Sequence, residues 1–356
     1  MKSILRSKLF ITLITALVCA AVIIAALPRE PKLLEVATPT KIPIREFPPA
    51  CGFCNWEENR TWLSETEVAI AQGEINVYGG RKPVDARLTI LDVQNGTKVA
   101  VDARFPRPAG DTENFPAISP DGTRVLWKDE SGTHIGDLAT GRRLDWPGRI
   151  GSRNLGNYWF AGGRSWIQWD TMPDHVTVFD SARPGQGVRY SFQRHGSDDN
   201  ANRYSNPFMA GSDFIIVTRQ GKSSTMFLEY VLQAQQRRLA LLCTRTANPP
   251  AGYDICYCAV SPAGDRVAWV LVRTGQNSAM ETLQRLLHRT TQQAGVSESI
   301  WTSTPDGQDW REIGYLRTKL ELPAGSDDIY ELAWVPGGKR LAFDYNNRIY
   351  TVRVSY

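Results

Sequence analysis

The stretch NFPAISPDGTRVLWKDESGTHIGDLATGRRLDW, residues 114–146, constrains the fold of this chain more than any other. Phe115 to Ser119 and Thr123 to Lys128 are apolar, strand-forming runs. Pro120-Asp121-Gly122 between them is a turn, because Pro fixes φ and Gly accepts φ > 0. Glu130-Ser131-Gly132 turns into Thr133 to Leu138, and Thr140-Gly141 turns into Arg142 to Leu144. The stretch therefore predicts four antiparallel strands. The pattern recurs along the chain. AVSPAGDRVAWVLV (259–272) repeats the first two strands and SIWTSTPDGQDWREI (299–313) the last two, while LAWVPGGKRLAFDYNNRIYTVRV (332–354) repeats three. Weaker copies begin at YWFAGGRSWIQWD (158–170) and NPFMAGSDFIIVTRQ (206–220). The first copy joins TWLSETEVAIAQG (61–73) to ARLTILDVQNGTKVAV (86–101), making six units.

A four-stranded unit of this length cannot bury both of its faces alone. Radial stacking of such sheets solves that and leaves only short edges. The expected fold is all-β, a six-bladed β-propeller over residues 61–356. A β-sandwich has a similar strand count, but SPDG-type turns at one place in each unit favour the propeller. The phrase running from Ser119-Pro120-Asp121-Gly122 through Asp137-Leu138 and Thr140-Gly141 resembles the TolB-type propeller repeat, also found in prolyl oligopeptidase-like proteins. The resemblance is sharp in units two, five and six. It implies the fold and, more weakly, a protein-binding role. The TolB-type α/β domain has no room here, so membership of the Tol complex is not implied. The last unit ends after its third strand, and an unclosed ring exposes sheet edges. Residues between 35 and 60 are therefore expected to complete it.

The N-terminus predicts an address. Lys2, Arg6 and Lys8 precede nineteen uncharged residues, Leu9 to Leu27. Nineteen helical residues cover most of a hydrocarbon layer about 30 Å thick. Positive charge ahead of the span keeps residues 1–8 cytoplasmic and sends the rest outward. Apolar residues continue through Ile23 and Ile24 without a clean small-x-small site, which favours an uncleaved transmembrane anchor at 9–27 over a signal peptide. Cys19 follows bulky Val18, so it reads as part of the span and not as a lipidation site. Residues 28–60 begin with a Pro-rich stretch (Pro28, Pro31, Pro39, Pro43, Pro48, Pro49) and read as a stalk. Removing Lys2, Arg6 and Lys8 from the 41 basic residues leaves 38 against 37 acidic ones, which gives no electrostatic case for nucleic acid.

One insertion breaks the β pattern. Within 274–297, Met280, Leu283, Leu286 and Leu287 share a helical face, Ser278 and Glu281 form a capping box, and Gly295 follows the end. A short helix is expected in the fifth unit. Its stripe packs on the propeller, or Met280, Leu283 and Leu287 meet a partner.

Few residues promise chemistry. His134, His175, His195 and His288 fall in different units without metal-ligand spacing. No G-x-S-x-G elbow occurs. Gly221-Lys222-Ser223 mimics a phosphate loop, but Ile216 stands where its first glycine belongs and a strand follows, so it reads as a hairpin turn. Ser197 to Asn202 is an oxygen-rich loop whose spacing is not that of a calcium motif. Asn59 and Asn95 head glycosylation-type triplets, which count only in a glycosylating host. No cofactor is expected.

Five cysteines lie beyond the span: Cys51, Cys54, Cys243, Cys256 and Cys258. Asn55 stands where haem attachment needs His, and prolines precede the CGFC pair where a thioredoxin-like site needs a βαβ setting. A zinc site using Cys51, Cys54, Cys256 and Cys258 fits in count, but the C-x-C pairing is unusual. In an oxidising space, structural bridges between Cys51 and Cys54 and between Cys243 and Cys256 are expected, leaving Cys258 unpaired. Cys256 and Cys258 are expected on one strand face.

The functional expectation is a membrane-anchored, extracytoplasmic propeller that binds a protein or envelope component. The alternative is a carbohydrate- or small-molecule-active enzyme with its site in the central channel. Converging carboxylates or a metal-binding histidine at the channel mouth would mark the enzyme.

Overall fold

The computed structural model describes residues 54–76, 86–105, 116–144, 156–169, 175–192, 207–273, 298–315 and 329–354, a few turn positions excepted. Every regular element among these residues is a β-strand. The first antiparallel meander is β1 (Cys54–Trp62), β2 (Glu67–Asn76), β3 (Ala86–Asp92) and β4 (Lys98–Phe105). The second is β5 (Ala117–Ile118), β6 (Arg124–Asp129) and β7 (Gly132–Asp137). The third is β8 (Gly156–Trp159), β9 (Ser165–Trp169), β10 (His175–Asp180) and β11 (Arg183–Phe192), and the fourth is β12 (Phe208–Ala210), β13 (Phe214–Gln220), β14 (Thr225–Gln233) and β15 (Arg238–Ala247). The fifth is β16 (Tyr253–Val260), β17 (Val267–Arg273), β18 (Glu298–Ser303) and β19 (Arg311–Tyr315). The last is β20 (Tyr330–Trp334), β21 (Arg340–Tyr345) and β22 (Arg348–Arg353).

The packing explains why each second strand reads as an unbroken apolar run. Its side chains alternate between two sheet faces, and both faces are buried. Val125 and Trp127 enter a cluster with Ala69 and Leu88 of the first meander, while Leu126 enters one with Trp159 and Trp166 of the third. Ile215 and Val217 pack toward the third meander, and Ile216 packs toward the fifth. Trp269 and Leu271 face the fourth, and Ala268 and Val270 face the last. A sixth cluster joins Trp62, Val68 and Ile70 to Val335, Ala342 and Ile349, so the last meander packs on the first. Hydrogen bonds cross the same seams. Trp159 Nε1 donates to the Ala117 carbonyl at 3.0 Å, and Trp334 Nε1 donates to that of Ala259 at 2.9 Å. Stacking of meanders face to face in this way is the arrangement of a β-propeller.

The SPDG turn owes its recurrence to a polar clasp. Ser119 Oγ donates to Asp121 Oδ1 at 2.5 Å and accepts the Arg124 amide at 2.8 Å. In the fifth meander Ser261 Oγ donates to Asp265 and accepts the Arg266 amide. Each clasp satisfies backbone groups that the reversal leaves without a ladder partner.

Three details differ from the sequence reading. The first meander starts at Cys54, because 54–62 pairs along its whole length with 68–76. The expected strand at 142–144 shrinks to a single bridge, Gly136 to Arg143. The third and fourth meanders share one eight-stranded sheet, because β11 and β15 pair in parallel at Ser191–Arg238 and Phe192–Leu239. No helix among the described residues is long and apolar enough to cross a membrane. The segment Leu9 to Leu27, the Pro-rich stretch up to residue 53 and the insertion 274–297 lie outside the described residues.

Candidate functional site

The shared sheet creates the most distinctive surface. Tyr190 and Phe192 of β11 and Leu239 of β15 face inward, into a cluster with Trp169, Leu228 and Tyr230. Alternation then turns Arg189, Ser191 and Arg238 outward, onto the convex side of the folded sheet. Ser191 N–H donates to the Arg237 carbonyl at 2.9 Å, which brings Arg237 to the same joint. Arg183, Arg189, Arg237 and Arg238 are all exposed. Across 183–192 and 237–247 there are five arginines and no carboxylate. Arg189 Nη2 donates to His175 Nδ1 at 2.8 Å, and Arg238 Nε donates to Gln233 Oε1 at 2.5 Å. His175 and Gln233 thus hold two of the guanidiniums in place. Arg245, by contrast, is paired with Glu229 at 3.3 Å. Leu242, 57% accessible, lies beyond Arg238 on β15, while Val188 shares the inward face of Tyr190 and Phe192.

The cysteine expectations need correction. Cys243, Cys256 and Cys258 are thiols, and no disulfide joins Cys243 to Cys256. Cys243 lies inside β15, opposite Glu229, and its Sγ donates to Glu229 Oε2 at 3.2 Å. Nor do Cys256 and Cys258 share a face. A β-bulge between Ile255 and Tyr257 leaves Cys256 exposed and turns Cys258 into the core. Burial pushes the Cys258 thiol up to about 12, and burial, then the Glu229 hydrogen bond and charge, raise that of Cys243. Thiolate is the reactive form. Native protein treated with a thiol reagent at pH 8 is therefore expected to label Cys256 first, and Cys243 and Cys258 only on unfolding. Peptide mapping checks the order, and early labelling of Cys258 would contradict it. Of the CGFC pair, Cys54 opens β1 with only its backbone described, and Cys51 lies outside the described residues.

The remaining sequence candidates stay apart. His134 is buried in β7, 5.4 Å from the Trp127 ring. His175 lies on β10 beside Arg189, and His195 and His288 lie outside the described residues, as do Met280, Leu283, Leu287 and the oxygen-rich 197–202 stretch. Gly221-Lys222-Ser223 is the turn between β13 and β14, with Gly221 N–H donating to the Ser224 carbonyl at 2.8 Å. A small cleft between the fourth and fifth meanders is lined by Ile216, Phe227, Glu229, Arg245, Val260 and Pro305. Its one ion pair closes on itself. Among the described residues no group of three or more His, Cys, Asp or Glu is placed to hold a metal ion. The arginine joint was missed in the sequence. The available signal was two outer-strand segments rich in Arg and empty of Asp and Glu.

No family model matches the chain, and no curated protein matches it. Among solved structures the chain is similar to the C-terminal WD40 domain of Sif2, at 12% identity and a TM-score of 0.45, covering 92% of this chain and all of that one. It is also similar to a putative TolB from Agrobacterium tumefaciens, at 15% identity and a TM-score of 0.40, covering 85% of this chain and 91% of that one. An oligogalacturonate lyase in complex with manganese is similar at 10% identity and a TM-score of 0.43, covering 91% of this chain and 97% of that one.

Proposed function

We propose that this chain is a membrane-tethered, extracytoplasmic six-bladed β-propeller that binds a protein or envelope component. The observation that carries the binding role is the arginine joint. Its two strand segments carry five arginines and no Asp or Glu, and Arg183, Arg189, Arg237 and Arg238 are exposed. The cluster joining Trp62 and Val68 to Val335 and Ile349 supports a closed ring of six blades. Lys2, Arg6 and Lys8 ahead of Leu9 to Leu27 support the tether and its orientation.

The test is capture with the full anchored chain from envelope extracts, alongside protease digestion of sealed cells. The expected result is a saturable partner, retained at physiological salt, and digestion of the propeller from outside. Failure to retain any component, or a propeller protected from external protease, would sink the reading.

A further inference from the structure

We propose that Asn95 is a site of covalent modification, and that the Asp92 carboxylate holds its rate down. Water converts the Asn95 side-chain amide to a carboxylate through a ring closed by the Gly96 nitrogen. Asn95-Gly96 is the one Asn-Gly pair in the chain. Glycine has no Cβ to screen its nitrogen from the preceding side chain. Asn95 is exposed and lies in the turn between β3 and β4, so solvent base and water reach it.

The Gly96 nitrogen gives its proton to solvent base and attacks Asn95 Cγ. The new N–Cγ bond closes a cyclic imide, and Nδ2 leaves as ammonia. Water then opens the imide at either carbonyl. One opening leaves aspartate, and the other leaves isoaspartate, with the chain routed through Cγ. One water is consumed and one ammonia released, and nothing is oxidised or reduced. Asp92 opposes the ring closure in two ways. Its Oδ1 accepts the Asn95 backbone N–H at 3.0 Å, and its Oδ2 accepts Nδ2–H at 2.7 Å. One carboxylate thus holds the backbone and the side chain of Asn95 together, in a turn closed by Asp92 N–H donating to the Thr97 carbonyl at 2.9 Å. Hydrogen bonds to an ionised acceptor are among the stronger of their kind. The attacking nitrogen and the intermediate it forms are also anionic, and they develop beside the Asp92 charge, which repels them. Conversion removes the Nδ2 donor and leaves a second carboxylate facing Asp92, so the turn is weakened.

The test holds the full chain, in detergent, at physiological temperature in mildly alkaline heavy-oxygen water for several weeks, with peptide mapping by mass spectrometry. The expected result is label at Asn95, with isoaspartate among the products, because only the cyclic route makes it. Chain unfolded in guanidinium chloride is expected to convert Asn95 about threefold faster or more, and D92A about fivefold faster than the natural chain. D92N keeps an oxygen acceptor without the charge and is expected to fall between; it carries the comparison if D92A melts early. N95D, the aspartate product, is expected to be cleaved faster by trypsin after Lys98, where β4 begins. Asn95 intact at the end, or aspartate without isoaspartate, would overturn the modification. Equal rates in the natural chain, D92A and D92N would overturn the role of Asp92. Unchanged trypsin cleavage of N95D would overturn the weakening of the turn.

Discussion

Replacing Trp269 by alanine should lower stability by about 3–5 kcal/mol, the usual cost of truncating a fully buried aromatic residue. Trp269 is wholly inaccessible and sits where the fourth and fifth meanders meet. Its ring lies 5.6 Å from Phe227 in a T-shaped contact and 5.2 Å from Trp310. The indole Nε1 also donates to Ser303 Oγ at 2.9 Å. Alanine removes the ring that fills this seam and the donor that Ser303 accepts. The backbone cannot collapse into the gap, because β17 is held by ladders on both sides. Phenylalanine at the same place keeps most of the volume and loses the hydrogen bond and a little packing, so about 1–2 kcal/mol is expected. Thermal unfolding followed by circular dichroism should show a drop in Tm on the order of 10 °C for alanine and a few degrees for phenylalanine. A loss below about 1 kcal/mol for W269A would mean that this seam does not hold the two meanders together.

The sequence made some of this legible and hid the rest for physical reasons. Second strands such as VAWVLV could be read because burial on both faces demands an unbroken apolar run. The SPDG turns could be read because Ser119 and Asp121 must close a specific set of backbone bonds. The first strand, CNWEENRTW, could not. It is largely polar, and its long ladder with β2 and the packing of Trp62 at its end place it. The outer strand expected at 142–144 failed for a related reason: ATGRRLDW has little apolar area with which to hold a ladder, so one bridge remains. The cysteines misled because a face assignment from strand alternation holds only without bulges, and one bulge separates Cys256 from Cys258. The arginine joint was invisible for a different reason. Ser191 and Arg237 are 46 residues apart, and only the parallel pairing of two outer strands makes neighbours of them.

Seams between meanders also limit the turns, and Gly307 provides the measurement. Its φ is +72°, and a Cβ placed there would lie 2.9 Å from Ala247 Cα and 3.2 Å from both Ala247 Cβ and the Asn248 nitrogen. Those atoms are at the end of β15, in the neighbouring meander, and most are backbone. Gly211 has a similar φ of +65°, but its Cβ would meet nothing within 4 Å. Alanine at 211 should therefore cost only the left-handed conformation, about 1–2 kcal/mol. Alanine at 307 should cost that and a further 1–3 kcal/mol or so for overpacking against a rigid neighbour. Asparagine separates the two contributions, because it tolerates the left-handed region but still carries a Cβ. G211N is expected to melt close to the natural protein, and G307N well below it. Equal melting of the two asparagine variants would mean that the fourth and fifth meanders yield at this contact, and that turn conformation alone keeps glycine at 307.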